Sequence, residues 1–474
     1  MLANHNPVSA MFLFPLAVAA AALVVLTLGG CGSESVASPE LSANIGSPRS
    51  GHEDQYILSA STAHLPASLD RAVQEAGGRL VAEYPQVGLA IVRSATADFA
   101  ARAARIGGIH QAIPDRRMRW LAPTRVHRVV QVPAKAPVRG RAIQDGAFFY
   151  RLYQWAPRAI EAPAAWAAGQ LGAGIRVAVL DGGIWAPHPD LAPNLDVARA
   201  VSFATDADGN PTDWFEDVGD FWHGTHVAGI VAASASVGII GIAPRATIIP
   251  VKVLHDGSGD FGGLIQGILY AATPVSQGGA GARIINMSLG AEIEHRGAGI
   301  AQLASFLSRV TSFARQQGVL VIASTGNSAL DLDHTNNLMS IPAQSVGVVA
   351  IAATGPVNVA GGGTNFDRPA SYTNFGQSAV HFAAPGGDFT LFPEGAWFED
   401  MVLSTNVGGW AFAAGTSMAA PAASGVAALI LGKYGPLQPS RIEAILRSSA
   451  DDLGKPGNDD FYGAGWLNAR KALL

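Results

Sequence analysis

The sequence predicts an α/β fold, a parallel sheet flanked by helices, preceded by a small α+β unit at the N-terminus. Three observations carry this. From about residue 174 onward, strand-like apolar runs alternate with helical stretches, the order that builds a parallel sheet covered on both faces. The runs are near-continuous in Val and Ile, as burial on both sides requires. Of the 474 residues, 49% are hydrophobic and only 14% charged, enough apolar surface to bury a substantial core and the opposite of a disordered chain.

The elements follow in order. Between about 54 and 120, the runs 55–59 and 87–93 are strand-like, and 69–76 and 97–106 have helical apolar spacing, each stopped by a glycine pair (Gly77-Gly78, Gly107-Gly108). Over 121–150, Pro123, Pro133 and Pro137 sit among Arg125, Arg128, Lys135, Arg139 and Arg141. That composition excludes a regular helix or a central strand and predicts an exposed, protease-accessible connector. Residues 151–474 form the main domain, with strands expected at 175–180, 247–254, 283–289, 319–324 and 346–353. Helices are expected near 224–236, 261–273, 298–317, 417–431 and 439–449.

Charge divides at the same place. Residues 1–150 carry 14 Lys/Arg against 10 Asp/Glu, and the remainder 17 against 26. The net charge of -5 gives no reason to expect nucleic acid as a partner. Cys31 is the one cysteine, which excludes internal disulfides and Cys-rich zinc sites. It closes an uncharged N-terminal stretch whose residues 10–28 are almost wholly apolar, ending Leu28-Gly29-Gly30-Cys31, before a Ser-rich spacer over 31–53. A plain signal peptide or a membrane span would use such a run. Leu-Gly-Gly-Cys also resembles a bacterial lipobox, which implies a signal peptide over 1–30, lipidation of Cys31 and a chain exported to the cell envelope or beyond.

Three segments hold an acid, an imidazole and a hydroxyl among small residues: Asp181-Gly182-Gly183, His223-Gly224-Thr225-His226-Val227-Ala228-Gly229 and Gly415-Thr416-Ser417-Met418-Ala419-Ala420-Pro421. Acyl transfer by serine needs these parts, because a hydroxyl is a poor nucleophile until an imidazole takes its proton and a carboxylate orients that imidazole. Each has a bland alternative. Asp181 at a strand end could cap a turn, Ser417 could cap a helix, and His223 with His226 could bind a metal, although no Cys or Glu nearby completes such a site. Jointly and in this order, the catalytic reading prevails.

The three segments resemble the Asp, His and Ser motifs of the subtilisin-like serine proteases, and the resemblance runs over roughly 160–474. His188-Pro189-Asp190-Leu191, Gly241-Ile242-Ala243-Pro244 and Tyr462-Gly463-Ala464-Gly465-Trp466 belong to it. It implies a serine endopeptidase with Ser417 as nucleophile, His223 as general base and Asp181 orienting it. Asn327, in Ser324-Thr325-Gly326-Asn327, would be an oxyanion donor, and Ser288-Leu289-Gly290 the edge on which peptide substrates lie. Residues 54–120 resemble the family's inhibitory propeptide, which implies an autoinhibited zymogen. Its partners are then protein or peptide substrates, its own propeptide, and a membrane through Cys31 before processing.

Two departures stand out. Gly182 replaces the Ser or Thr usual after the catalytic Asp, so a hydroxyl that helps hold the carboxylate is missing and retuned activity is expected. The segment 234–238 is short and lacks the asparagines that bind calcium in many relatives. Asp190, which matches a calcium ligand of those relatives, cannot alone build such a site, and the acidic stretch 206–220, which could bind calcium instead, is expected to be a solvated loop. No cofactor is required, and calcium has no assignable ligands. Ser328, following Asn327, supplies no acid at the rim of the pocket for the residue before the cut bond, which suggests an apolar or aromatic preference there. A catalytically silent peptide binder and an α/β-hydrolase esterase are the rival readings. The second lacks Gly-x-Ser-x-Gly around Ser417 and has the wrong chain order.

Overall fold

The computed structural model describes residues 53–121, 126–129 and 142–474, apart from 63, 295, 296, 298 and 336. The apolar run before Cys31, Cys31 itself and the spacer lie outside the described residues, as does most of the connector.

The N-terminal unit is a four-stranded antiparallel sheet in the order β2-β3-β1-β4 with two helices. Its elements are β1 (Asp54–Ala60), α1 (Leu69–Glu75), β2 (Arg79–Tyr84), β3 (Leu89–Ser94), α2 (Phe99–Ala103) and β4 (Ile109–Pro114). Alternation along β1 gives each face its partner. Tyr56 and Leu58 pack with Leu69 and Val73 of α1 and Phe99 of α2. Ile57 turns the other way, with Leu89 and Ile91 of β3, into the core of the main domain. Beyond β4, the chain continues as β5 (Arg117–Arg119) and β6 (Val126–Val129).

The main domain begins with three short helices, α3 (Tyr150–Tyr153), α4 (Ala156–Ala159) and α5 (Ala162–Ala167). Its strands are β7 (Arg176–Asp181), β8 (Val201–Ser202), β9 (Thr247–Lys252), β10 (Ser258–Asp260), β11 (Ile284–Met287), β12 (Ala291–Glu294), β13 (Leu320–Ser324), β14 (Leu338–Ile341), β15 (Val348–Thr354), β16 (Phe382–Pro385), β17 (Val402–Asn406) and β18 (Gly409–Ala413). The longer helices are α6 (His223–Ala232), α7 (Phe261–Ala272), α8 (Ile300–Gln316), α9 (Thr416–Tyr434) and α10 (Pro439–Ser449). Seven strands make the parallel sheet, in the order β16-β15-β13-β11-β7-β9-β8. This is the expected α/β architecture.

Near-continuous apolar strands supply both faces. Val177 and Val179 of β7 point toward Val227 and Val231 of α6 and Ala419, Ala422 and Val426 of α9. Ala178 and Leu180 point toward Leu264 and Ile268 of α7 and Leu303 and Leu307 of α8. The small residues of α9 bring it close: a Cβ on Gly425 would lie 2.4 Å from Ile242 Cβ.

The connector differs from expectation at its end, where Ala147, Phe149 and Tyr150 are buried in the main-domain core, and at one point within it. Residues 126–129 form an edge strand, antiparallel to β18 with Val126 opposite Ala413 and Val129 opposite Trp410. An edge needs hydrogen bonds on one side only, so a proline- and arginine-rich context does not forbid it.

Candidate active site

In parallel sheets the strand carboxyl ends form one rim. Asp181 ends β7, Ser288 follows β11 directly and Asn327 lies three residues beyond β13. Since β11 stands between β7 and β13, these residues share that rim.

Asp181 is 1% exposed. Its Oδ1 accepts the Gly182 N–H at 2.7 Å. Both carboxylate oxygens face His223 Nδ1, Oδ1 at 3.0 Å and Oδ2 at 2.9 Å. His223 opens α6, and the glycine after it is required by packing. A Cβ on Gly224 would stand 2.5 Å from the Gly183 carbonyl oxygen and 2.9 Å from Asp181 Cβ. The neighbouring His226 is fully buried, its Nε2 donating to the Ala411 carbonyl at 2.9 Å, and burial drives its pKa down to about 3. It stays neutral and structural, as expected.

Ser417 is the second residue of α9 and 8% exposed. Pro421, inside this helix, has no N–H for the Ser417 carbonyl four residues back. That carbonyl instead accepts the Ser288 hydroxyl at 2.8 Å. In return, Ser417 Oγ donates to the Ser288 carbonyl at 3.1 Å. Ser288 is held in turn by Asn286 Nδ2 at 3.0 Å, and Asn286 Oδ1 by Ser424 of α9 at 2.8 Å. The helix is thus locked to the strand end beside Asp181.

Asn327 Oδ1 accepts both the Thr416 N–H and the Thr416 hydroxyl, each at 2.8 Å. This fixes the amide so that Nδ2 is the free donor. It lies 3.4 Å from where a Gly415 Cβ would be, a position 3.6 Å from the Ser417 nitrogen. A polar donor, the N-terminus of a long helix and a hydroxyl therefore converge. Sequence reasoning passed over two residues that build this corner. Thr416 is one. Asn374 is the other: its Oδ1 accepts from Ser328 N and Leu330 N, both at 3.0 Å, and its Nδ2 donates to the Thr325 carbonyl at 3.0 Å. It stands in no recognisable motif, so only the fold reveals it.

The edge formed by Ser288, Leu289 and Gly290 is covered by the chain itself. The Gly290 N–H donates to the Trp120 carbonyl at 2.9 Å, and β5 pairs antiparallel with β10, Met118 opposite Gly259. Trp120 is 1% exposed, with its indole N–H on the Gly259 carbonyl at 2.9 Å and its ring edge-on to Phe261. The absence of an acid at position 328 does not leave the rim uncharged. Glu292 of β12 accepts from Ser328 Oγ at 3.2 Å and from Asn374 Nδ2 at 2.9 Å, so the basis for an apolar preference is lost.

The position matching a calcium ligand is satisfied without metal. Asp190 is fully buried, Oδ1 accepting from Val237 N at 2.7 Å, and Oδ2 from Gly238 N at 2.9 Å, Ile239 N at 3.1 Å and Trp410 Nε1 at 3.0 Å. Four N–H donors surround it where calcium needs oxygens, so the residues do not fit that ion. Among the described residues, no group of three His, Cys, Asp or Glu is placed to hold a metal. The acidic stretch is also not wholly solvated: Asp217 turns in against Gly182.

Comparison with known proteins agrees with this geometry. A family model described as the subtilase family matches residues 172–465. Thermitase from Thermoactinomyces vulgaris is 31% identical over 328 residues, 69% of this chain and 97% of its own. M-protease from Shouchella clausii is 33% identical over 321 residues, 67% of this chain and 69% of its own. Among solved structures, the epidermin leader peptide processing serine protease of Staphylococcus aureus superposes with a TM-score of 0.68 at 20% identity, covering 89% of this chain and 98% of that one. Fervidolysin from Fervidobacterium pennivorans gives 0.63 at 22% identity, over 90% and 62%. At such identities these two speak for the fold alone. With the family model spanning most of the chain and curated relatives above 30% identity, the chain belongs to the subtilase family and is a subtilisin-like serine endopeptidase.

Proposed function

We propose that this endopeptidase is exported as an autoinhibited zymogen and cuts peptide bonds through an acyl-enzyme formed on Ser417. The observation that carries the reading is His223 Nδ1 seated on Asp181 at 2.9 Å, on the rim that also holds Ser417 and Asn327. A substrate strand lies along Ser288–Gly290. The Ser417 hydroxyl turns from the Ser288 carbonyl to His223 Nε2, gives up its proton there and attacks the scissile carbonyl. Asn327 Nδ2 and the Ser417 N–H receive the oxyanion. The imidazolium, held by Asp181, then protonates the leaving amine, and water activated by the same imidazole releases the acyl group.

The N-terminal unit acts as the inhibitor. Residues 117–121 occupy the β10 and Gly290 side of the cleft, and β6 lies on β18, which ends four residues before Ser417. Only residues 122–125 separate the two in the sequence, and the maturation cut falls between Leu121 and Val126. The apolar run ending at Cys31 supports export and a lipid anchor. That anchor stays on the inhibitory side of the cut, so maturation detaches the enzyme from its tether. Among the described residues, no helix is long and apolar enough to cross a membrane.

The test compares wild type with Ser417→Ala. Wild type should label with a fluorophosphonate, digest casein and yield a mature N-terminus within 122–126. Ser417→Ala should do none of these and keep its catalytic domain in the membrane fraction. Processing of Ser417→Ala at the same bond without added protease would sink the reading.

A further inference from the structure

Gly182, where a hydroxyl is missing beside the catalytic carboxylate, does not leave a gap. A Cβ built there would lie 2.2 Å from Asp217 Oδ2 and 3.0 Å from Asp217 Cγ. The next residue is equally bare for the same neighbour: a Cβ on Gly183 would meet the Glu216 carbonyl oxygen at 2.9 Å and that of Trp214 at 3.1 Å. The Asp-Gly-Gly sequence is therefore the footprint of the loop around 214–217, which presses a carboxyl group into the space a side chain would fill.

Asp217 comes with a buried cation. Lys252 is 1% exposed and sits opposite Asp181 in the β7–β9 register. Its Nζ donates to the Glu216 carbonyl. The loop is further held by the Asp256 N–H, which reaches Asp217 Oδ1 at 3.4 Å, and by Asn406 Nδ2 on the Asp220 carbonyl at 3.0 Å. Three residues later the chain enters α6 at His223. The charged and titratable groups around Asp217 are thus Asp181 at the end of β7, Lys252 on β9, His255 and Asp256 beyond β9, Asp213, Glu216 and Asp220 on its own loop, and His223 on α6.

We propose that Asp217 is a positioning residue of the Asp181–His223 pair: it takes over the space forfeited at Gly182 and, balanced by Lys252, sets the field in which the imidazole gains and loses its proton. The proposal rests on the catalytic reading of that pair. Burial pushes the Asp217 carboxyl up to about 6, against the pull of Lys252, so its charge changes in the range where an unperturbed imidazole titrates. The sign follows from electrostatics. An ionised Asp217 favours the imidazolium, so its removal favours the neutral, catalytically competent imidazole at lower pH. Because protonation of either group disfavours protonation of the other, the wild-type acid limb is broader than a single titration.

The experiment is the pH profile of kcat/KM for the mature enzyme. Asp217→Asn should move the acid limb down by roughly half a pH unit, the effect of one unit charge acting across a partly solvated site, and steepen it to a single titration. Asp217→Glu should keep the wild-type limb, and Lys252→Met should move it up. Gly182→Ser should cost more than about tenfold in wild type, through its clash with Asp217, and far less in an Asp217→Gly background. The proposal is overturned if the Asp217→Asn limb coincides with wild type or moves up. Should that variant not fold, an unmoved Lys252→Met limb with equal Gly182→Ser costs in both backgrounds overturns it. Fluorophosphonate labelling of Ser417 in each variant separates this failure from failure of the triad itself.

Discussion

Replacing Asp190 by alanine tests whether hydrogen bonds do the work that calcium does in many subtilases. The carboxylate accepts four N–H groups, from Val237, Gly238, Ile239 and the Trp410 indole, at 2.7 to 3.1 Å. All four lose their acceptor in Asp190→Ala. A buried donor left unsatisfied costs about 1–3 kcal/mol, and such losses within one network are not additive. A total of about 4 kcal/mol is a reasonable expectation, close to the cost of stranding one partner of a buried charge interaction. For a domain of roughly 300 residues, with an unfolding entropy of about 0.6–0.7 kcal/mol per kelvin, that lowers Tm by about 6 °C. Thermal unfolding is measured in a Ser417→Ala background, which removes autolysis, with EDTA and with added calcium. The expected result is a large fall from Asp190→Ala and no effect of EDTA on its parent. If EDTA lowers the parent's Tm by several degrees and leaves Asp190→Ala unchanged, a metal sits at Asp190 and the reasoning fails.

Two further outcomes follow from the same geometry. Asn327→Ala should lower kcat about 100- to 1000-fold with little change in KM, since its amide meets the oxyanion rather than the ground-state substrate; equal loss in kcat and gain in KM would contradict the assignment. If the N-terminal unit inhibits as proposed, Asp115 makes that contact pH-dependent. It joins the two parts of the chain, accepting from Gln55 Nε2 at 2.7 Å, Gly262 N at 2.8 Å and Arg116 N at 2.7 Å. Burial first, and the nearby Asp260 carboxylate second, push it up to about 7. A carboxyl raised by the contact holds a proton there that it releases when freed. The contact is therefore tightest at low pH and weakens by up to about tenfold per pH unit between about 4 and 7. Inhibition of the processed enzyme by its bound N-terminal unit, followed from pH 5 to 8, should relax along this window and lose that dependence in Asp115→Asn.

The parts legible in the sequence were those whose cause is local. The central strands were legible because burial on both faces writes continuous Val and Ile, as in Val177 to Leu180 and Leu320 to Ile322. Asp181, His223 and Ser417 were legible because close packing confines each to a string of small residues, with Gly224 and Gly425 the visible traces. Strands β6, β10, β17 and β18 were not, because they are short and exist only through partners distant in sequence. Nothing around Asn374 advertises the four residues its side chain bonds, and nothing in the connector advertises that 126–129 would pair with β18.

Gly182 shows why a departure from a motif needs the fold for its interpretation. Read along the chain, it is a deletion: one hydroxyl fewer beside the catalytic acid, hence weaker support. In space it is one half of an exchange, since Asp217 cannot occupy its site unless position 182 lacks a Cβ. Asp190 repeats the pattern, because the segment that looks too short to bind calcium is the right length to turn three successive N–H groups onto one carboxylate. Both cases replace an interaction from outside the local string with another. A motif residue is therefore best judged by what fills its place, and at both positions here the substitute is an acid or its donors, already bonded.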